Sequence, residues 1–403
     1  MNQKIKSSLF FFHFASFYMI CLGLVFFISA CEGKKNEEKI IPNPIDTNVI
    51  PKDTLPVFNP KFYLGADFSY VNEMENCGAA YNENGINKDP YLLFAAKGAS
   101  IARFRLWHNP AWTQYSNLAD VKKGIQRARA KKMRILLDFH YSDTWTDPAR
   151  QNIPLAWKNI KNVKILGDSL FNYTKRTLLE LNAEGLLPEL VQVGNEINAE
   201  ILQYTEPAVY PINWPRNVIL LNRGIEAVKL VAQETGKPIG TILHIAQPEN
   251  ADFWFTEAKA RGISNYDWIG LSYYSQWSTF DLPKLGFEIQ KLKTKFGKRV
   301  MVVECGYPFS LHNIDQANNM LDTISQLPGF TVSPEEQKRF MIEMTKTVIN
   351  SGGEGVIYWE PAWISTNCST QWGKGSHWDN ATFFDQYSTN ALPVFEFLNE
   401  KNY

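Results

Sequence analysis

The stretch ELVQVGNE, Glu189 to Glu196, runs from an apolar segment straight into a glycine, an amide and a carboxylate. A buried strand that ends in this way needs a reason, because an unpaired carboxylate out of water is costly. The run has seven counterparts: FYLGADF (62–68), SIARFRLW (100–107), MRILLDFHY (133–141), PIGTILH (238–244), DWIGLSYY (267–274), RVMVVECG (299–306) and GVIYWEP (355–361). Each is nearly continuous in apolar residues, as parallel strands covered by helices are. Between them, ADVKKGIQRARAKK (119–132), SLFNYTKRTLLELNAEG (169–185) and SPEEQKRFMIEMTKTVINSGG (333–353) place apolar residues at helical spacing. The last two close on glycine, and Ser-Pro-Glu-Glu supplies an N-cap, a first-turn proline and early acids. Eight such strands alternating with helices predict an α/β fold, a (β/α)8 TIM barrel forming a single catalytic domain. No GxGxxG follows the first strand, which argues against a dinucleotide-binding open sheet.

Barrels of this kind carry their chemistry at the C-terminal ends of the strands. Polar residues stand there in almost every run: Asp67, Arg105, Asp138 with His140, Asn195 with Glu196, His244, Tyr274, Glu304, and Trp359 with Glu360. Glu196 ends the fourth strand and Glu304 the seventh, so the two face each other across the mouth. Paired carboxylates over a cleft are what glycoside cleavage requires, one to protonate the departing oxygen and one to attack or to activate water.

Composition narrows the class further. Lys plus Arg equals Asp plus Glu at 41 each, and no long basic block suggests a nucleic-acid partner. Twelve tryptophans lean mildly toward a sugar binder, since indole faces stack on the apolar faces of sugars.

The N-terminus reads as an export segment. Lys4 and Lys6 precede an apolar run from Leu9 to Ala30, and Ile28-Ser29-Ala30-Cys31 is followed at once by polar residues. This resembles the lipobox of bacterial lipoproteins, which implies a signal peptide over 1–30, lipid attachment at Cys31 and an exported protein held at the cell surface or in the periplasm. Residues 31–60, rich in charge, Asn and Pro, read as a tether, and 61–403 as the catalytic domain. Cys77, Cys305 and Cys368 remain in the mature body, so at most one disulfide can form, with its pairing open.

Several longer stretches together carry a family resemblance: GADFSYVNEMENCGAAY (65–81), RFRLWHNP (103–110), LLDFHYSDTWTDPARQNIPLAW (136–157), GNEIN (194–198), GLSYYSQW (270–277), VVECGYP (302–308) and YWEPAWI (358–364). They closely resemble glycoside hydrolase family 53, the endo-β-1,4-galactanases that cut galactan side chains of pectin. The resemblance implies a retaining endo-hydrolase of galactan or type I arabinogalactan, with Glu196 as acid/base and Glu304 as nucleophile, their carboxyl groups about 5 Å apart. It also implies that Arg105 supplies the cation beside Glu304, Asn195 bonds the sugar 2-hydroxyl and Tyr274 holds the nucleophile's oxygen. His140, backed by Asp138, and His244 would line the same site with Asp67. Trp359 would form the floor beneath the sugar, with Trp363 extending it, while Trp112, Trp145 and Trp277 read more plainly as packing. No cofactor is implied. Some relatives bind calcium in the loops after the last two strands, but FSLHNIDQANNMLDTISQLPGF (309–330) lacks closely spaced acids and STNCSTQWGKGSHWDNATFFD (365–385) offers only Asp379 and Asp385, so no metal is expected. The implied partners are the polysaccharide and, through the lipid, a membrane; the protein is expected to be a monomer.

Two other readings are weighed against this one. A mannanase, xylanase or glucanase would keep both glutamates, but DFHYSDTWTDP and YWEPAW do not suggest those families. A non-catalytic glycan-binding lipoprotein would have no need of Glu196 and Glu304 surrounded by Asn195 and Tyr274.

Overall fold

The computed structural model describes residues 61–371 and 373–403; the expected signal peptide, Cys31 and the tether lie outside the described residues. Eight parallel strands close into a barrel: β1 (Tyr63–Asp67), β2 (Ile101–Leu106), β3 (Arg134–Phe139), β4 (Leu190–Val193), β5 (Gly240–Ala246), β6 (Trp268–Tyr273), β7 (Arg299–Cys305) and β8 (Gly355–Tyr358). β1 pairs with both β2 and β8, so the sheet has no free edge. Helices α1 (Val71–Asn76) and α2 (Pro90–Lys97) follow β1, and α3 (Leu118–Ala130), α4 (Val163–Ala183), α5 (Trp214–Thr235), α6 (Pro248–Ala260), α7 (Leu282–Phe296) and α8 (Pro334–Asn350) follow β2 to β7 in turn. The start predicted for the last helix is the observed one: the Ser333 side chain accepts from the Glu336 N–H ahead of Pro334. Among the described residues no helix is long and apolar enough to cross a membrane.

Strand alternation sorts the side chains into two cores. One lies between strands and helices; the other fills the lower barrel with Tyr63, Ile101, Leu136, Leu190, Ile242, Trp268, Met301, Val303 and Ile357, at least one from every strand. Gly270 sits inward between Trp268 and Ser272, where a Cβ would come within 2.9 Å of Ile242 Cγ2. That apolar plug forces the polar inward residues into a layer above it, toward the C-terminal ends.

Two local departures from regular strand geometry aim the glutamates. In β7, Leu271 of β6 pairs with Val302 but Ser272 pairs with Glu304, leaving Val303 as a bulge. Val303 and Glu304 therefore both face inward although they are neighbours in sequence, and Cys305 turns out into the helix layer. After β4, Gly194 has φ +90° and Glu196 φ +44°. The strand thus stops three residues before the predicted end, and the chain turns to present Asn195 and Glu196 at the mouth. A non-glycine residue held at positive φ is uncommon, and Glu196 shares the feature with Glu360 after β8.

Cys77, just past α1, is bonded to Cys368 in the segment after β8, and Cys305 is free and buried. The bond joins residues 291 apart in sequence and clasps the loops on either side of the β1/β8 seam. Cys77→Ser with Cys368→Ser is expected to lose about 2–4 kcal/mol of stability, read as a lower urea midpoint.

Candidate active site

One guanidinium organises the layer above the apolar plug. Arg103 of β2, 1% exposed, places Nη1 at 2.7 Å from Asp67 Oδ2 of β1. Its Nη2 lies 2.8 Å from Asp138 Oδ2, 2.9 Å from Asn195 Oδ1 and 2.6 Å from Glu304 Oε1, and Nε donates to Gln192 Oε1 at 3.0 Å. Burial alone would push this arginine toward losing its charge, but Glu304, Asp138 and Asp67 hold its pKa above the ordinary value. Asp138 is likewise held below the usual carboxylate range: burial opposes ionisation, and Arg103 and His140 outweigh it.

The expected cation beside Glu304 was Arg105, and this is corrected. Arg105 is the next inward residue of β2, one step nearer the mouth, and its Nη1 meets Glu360 Oε1 at 2.7 Å while Nε donates to Ser116 Oγ. Its guanidinium lies over the rings of Trp145, Tyr70 and Trp107, at 4.1 to 4.9 Å from their centroids. Both arginines face inward because they are two residues apart. Only the lower one reaches Glu304.

Glu304 Oε2 also accepts from the Tyr274 hydroxyl at 3.2 Å, as predicted, and Tyr273 turns outward to donate to the Phe280 carbonyl. Burial pushes Glu304 up to about 7, with Arg103 and Tyr274 pulling against it. Glu196 is raised well above its ordinary value by desolvation and then by the charge of Glu304, opposed by the Ser272 hydroxyl that donates to its Oε1 at 2.6 Å. The cation sits on Glu304 and not on Glu196, so Glu304 is the first of the pair to ionise. The site is set with one carboxylate charged and the other carrying a proton.

The histidines are both neutral. His140 Nδ1 accepts the Thr146 N–H at 3.1 Å, so its proton is on Nε2, 3.1 Å from Asp138 Oδ2. Its pKa and that of His244 are lowered chiefly by burial. Asn195 gives one amide hydrogen to the Thr146 carbonyl at 2.8 Å.

Aromatic residues wall the mouth. Trp359 directly follows β8 and is 9% exposed, braced edge-on by Trp378 at 4.8 Å. Trp363 does not extend that platform, contrary to expectation. It is 1% exposed, stacked at 4.1 Å on Tyr70, and supports Trp359 from behind. Trp112 and Trp277, which read as packing, are instead 41% and 50% exposed, while Trp145 is half-buried over Arg105. Among the described residues no group of three or more His, Cys, Asp or Glu side chains is placed to hold a metal ion.

Known proteins place the chain. The model of glycosyl hydrolase family 53 matches residues 63–398. The chain belongs to that family. This family 53 glycoside hydrolase is 55% identical, over 84% of its own length and 91% of the relative's, to an arabinogalactan endo-beta-1,4-galactanase of Cellvibrio japonicus. Its barrel superposes on the Ignisphaera aggregans family 53 catalytic domain with a TM-score of 0.76 at 27% identity, covering 87% of this chain and 98% of that one. It also matches a fungal beta-1,4-galactanase structure at 0.72 and 30% identity, covering 84% and 99%.

The predicted site residues Asp67, Asp138, His140, Asn195, Glu196, His244, Tyr274, Glu304 and Trp359 all converge on one mouth. Arg103, Gln192 and Ser272 were not singled out as site residues. Their signal was available in strand alternation: each lies inward, two or four residues above a member of the apolar plug.

The pKa of Glu196 carries a stability consequence. A carboxyl group whose folded pKa is raised binds more protons folded than unfolded, so stability falls as pH climbs from the unfolded value toward the folded one. Glu196→Gln removes that burden while keeping an acceptor for Ser272. The variant is expected to melt at or above the wild-type temperature, with the gap opening as pH rises beyond the ordinary Glu value of 4.5. A wild-type protein that stays the more stable of the two at pH 8 would contradict it.

Proposed function

We propose that this chain is an endo-β-1,4-galactanase that cleaves within galactan or type I arabinogalactan chains by a retaining double displacement. The observation that carries the chemistry is the asymmetry of the two glutamates, one held by Arg103 and Tyr274 and the other left protonated near it. Glu304 attacks the anomeric carbon while Glu196 gives its proton to the departing glycosidic oxygen, which takes the bonding electron pair. Glu196, now ionised, then draws a proton from water as that water displaces Glu304. The choice of galactan rests on family membership and on the galactanase relatives. Trp359 suits it, since the axial 4-hydroxyl of galactose leaves one apolar face for an indole.

Reducing-end release from unbranched β-1,4-galactan is expected for the wild-type catalytic domain. Glu196→Gln and Glu304→Gln are each expected to lose at least about a hundredfold in kcat, and proton NMR of the first products should show the β-anomer. Hydrolysis of mannan, xylan or β-glucan in place of galactan would move the substrate and keep the pair, whereas initial α-anomer would remove the covalent intermediate.

The same proposal includes export, lipid attachment at Cys31 and action as a monomer at a membrane surface. It is supported by the basic start, the apolar run from Leu9 to Ala30 and the small residues before Cys31. Radiolabelled palmitate fed to a bacterium making the full chain is expected to enter the wild type and not Cys31→Ala; equal labelling of both would refute the anchor.

A further inference from the structure

Glu196 changes protonation twice in each turnover, and the hydrogen bonds around it run in one direction. Its Oε1 lies 2.6 Å from Ser272 Oγ, which lies 2.8 Å from His244 Nε2. On the other side of the imidazole, Nδ1 faces Gln192 Nε2 at 3.0 Å, the Glu196 backbone N–H at 3.3 Å and Asn195 Oδ1 at 3.1 Å. Two N–H donors against one oxygen make Nδ1 the acceptor and leave the ring proton on Nε2. Gln192 cannot turn over to change this. Its Oε1 is occupied by Arg103 Nε and its amide also donates to Asp138 Oδ1 at 3.0 Å. The imidazole N–H therefore points at Ser272, and the proton of Ser272 is directed at Glu196.

We propose that Ser272 is a positioning residue for the acid/base: it keeps Oε1 of Glu196 an acceptor and confines the transferable proton to Oε2. The inference rests on the preceding assignment of Glu196. As the glycosidic bond breaks, the proton on Oε2 passes to the leaving oxygen, and the new carboxylate already has a donor on its other oxygen. In the second half of the reaction Oε2 recovers a proton from the attacking water, and the chain through Ser272 and His244 has not moved. Other groups face Glu196 without supplying that hydrogen bond. They are Glu304 of β7, Arg103 of β2, Asp147 of the loop after β3, Tyr210 of the loop after β4 and Tyr274 at the end of β6. A carboxylic acid free to carry its proton on either oxygen would spend part of its time with the proton turned toward His244, away from the substrate.

The test compares kcat/KM for β-1,4-galactan, whose leaving group needs a proton, with that for a dinitrophenyl β-galactobioside, whose leaving group does not. Ser272→Ala is expected to lose ten- to a hundredfold on galactan, roughly the lower range of general acid catalysis, and at least tenfold less on the aryl substrate. Its alkaline limb on galactan should move to higher pH, because the lost donor favoured the ionised form. Ser272→Thr, which keeps the hydroxyl, should recover most of the loss. Equal losses on both substrates with an unmoved limb would reduce Ser272 to packing and overturn the proposal. Nitrogen-15 NMR of His244 in the wild-type protein gives an independent reading should the alanine variant not fold. A neutral ring protonated on Nε2 is the expected state, and an Nδ1–H or charged ring overturns the inference. Failure of the wild type to cleave galactan while the ring is in the expected state would strike the functional reading and not the hydrogen-bond arrangement.

Discussion

The buried guanidinium of Arg103 is the constraint from which the rest of the mouth follows. It meets three carboxylates, the fully buried Asp67 and Asp138 and the nearly buried Glu304. A single positive charge cannot balance three negative ones, so the surroundings resist a fourth. Glu196 is that fourth, and it keeps its proton. The acid/base pair thus follows from burial and charge together: the cation selects which carboxylate ionises, and desolvation, with the charge of Glu304 beside it, keeps the proton on the other. Such a cluster gives up stability that an apolar layer would have supplied, and it is tolerated because the plug beneath it and the helix layer around it carry the fold.

Much of this could be read from the sequence because the barrel imposes two simple rules. Parallel strands buried on both faces must be apolar, which made all eight runs visible, and the polar residues must then gather at the strand ends. Strand identity and the two glutamates followed. What could not be read was height within the barrel. Arg103 and Arg105 obey the same alternation, and the sequence does not say which of them lies level with Glu304. Height is set by the stagger of neighbouring strands, seen here in Arg103 pairing with Asp67 and Leu136 while Arg105 pairs with Asp138. The tryptophans show the same gap. Trp359 and Trp363 are four residues apart after one strand, yet one faces the cleft and the other lies behind it under Tyr70. The partner of Cys77 was beyond reach for a related reason, since alternation alone does not show that the bulge turns Cys305 out into the helix layer while Cys368 stands in the segment after β8.

The relation between the two catalytic carboxylates is closer than their separation in sequence suggests. Arg103 contacts Glu304 directly and orients Gln192, which sets the tautomer of His244, which aims Ser272 at Glu196. Each link is a side chain on a different strand, fixed at both ends by a partner that cannot be exchanged without leaving a buried polar group unsatisfied. Effects of substitution along this chain should therefore not add, because the members act through one another.

The bulge at Val303 makes the nucleophile a matter of reading frame in three dimensions. β7 carries one residue more than its neighbour at the point where the apolar plug ends, and that residue turns a side chain bound for the helix layer back into the lumen. Were the strand to run through Val303 with regular alternation, Glu304 would turn into the helix layer and Cys305 into the lumen, although every catalytic residue would still be in the sequence. The nucleophile's position thus depends on an irregularity that has no side chain of its own in the reaction, and smoothing the bulge without removing a residue would displace Glu304 more than a change of length in the loops on either side.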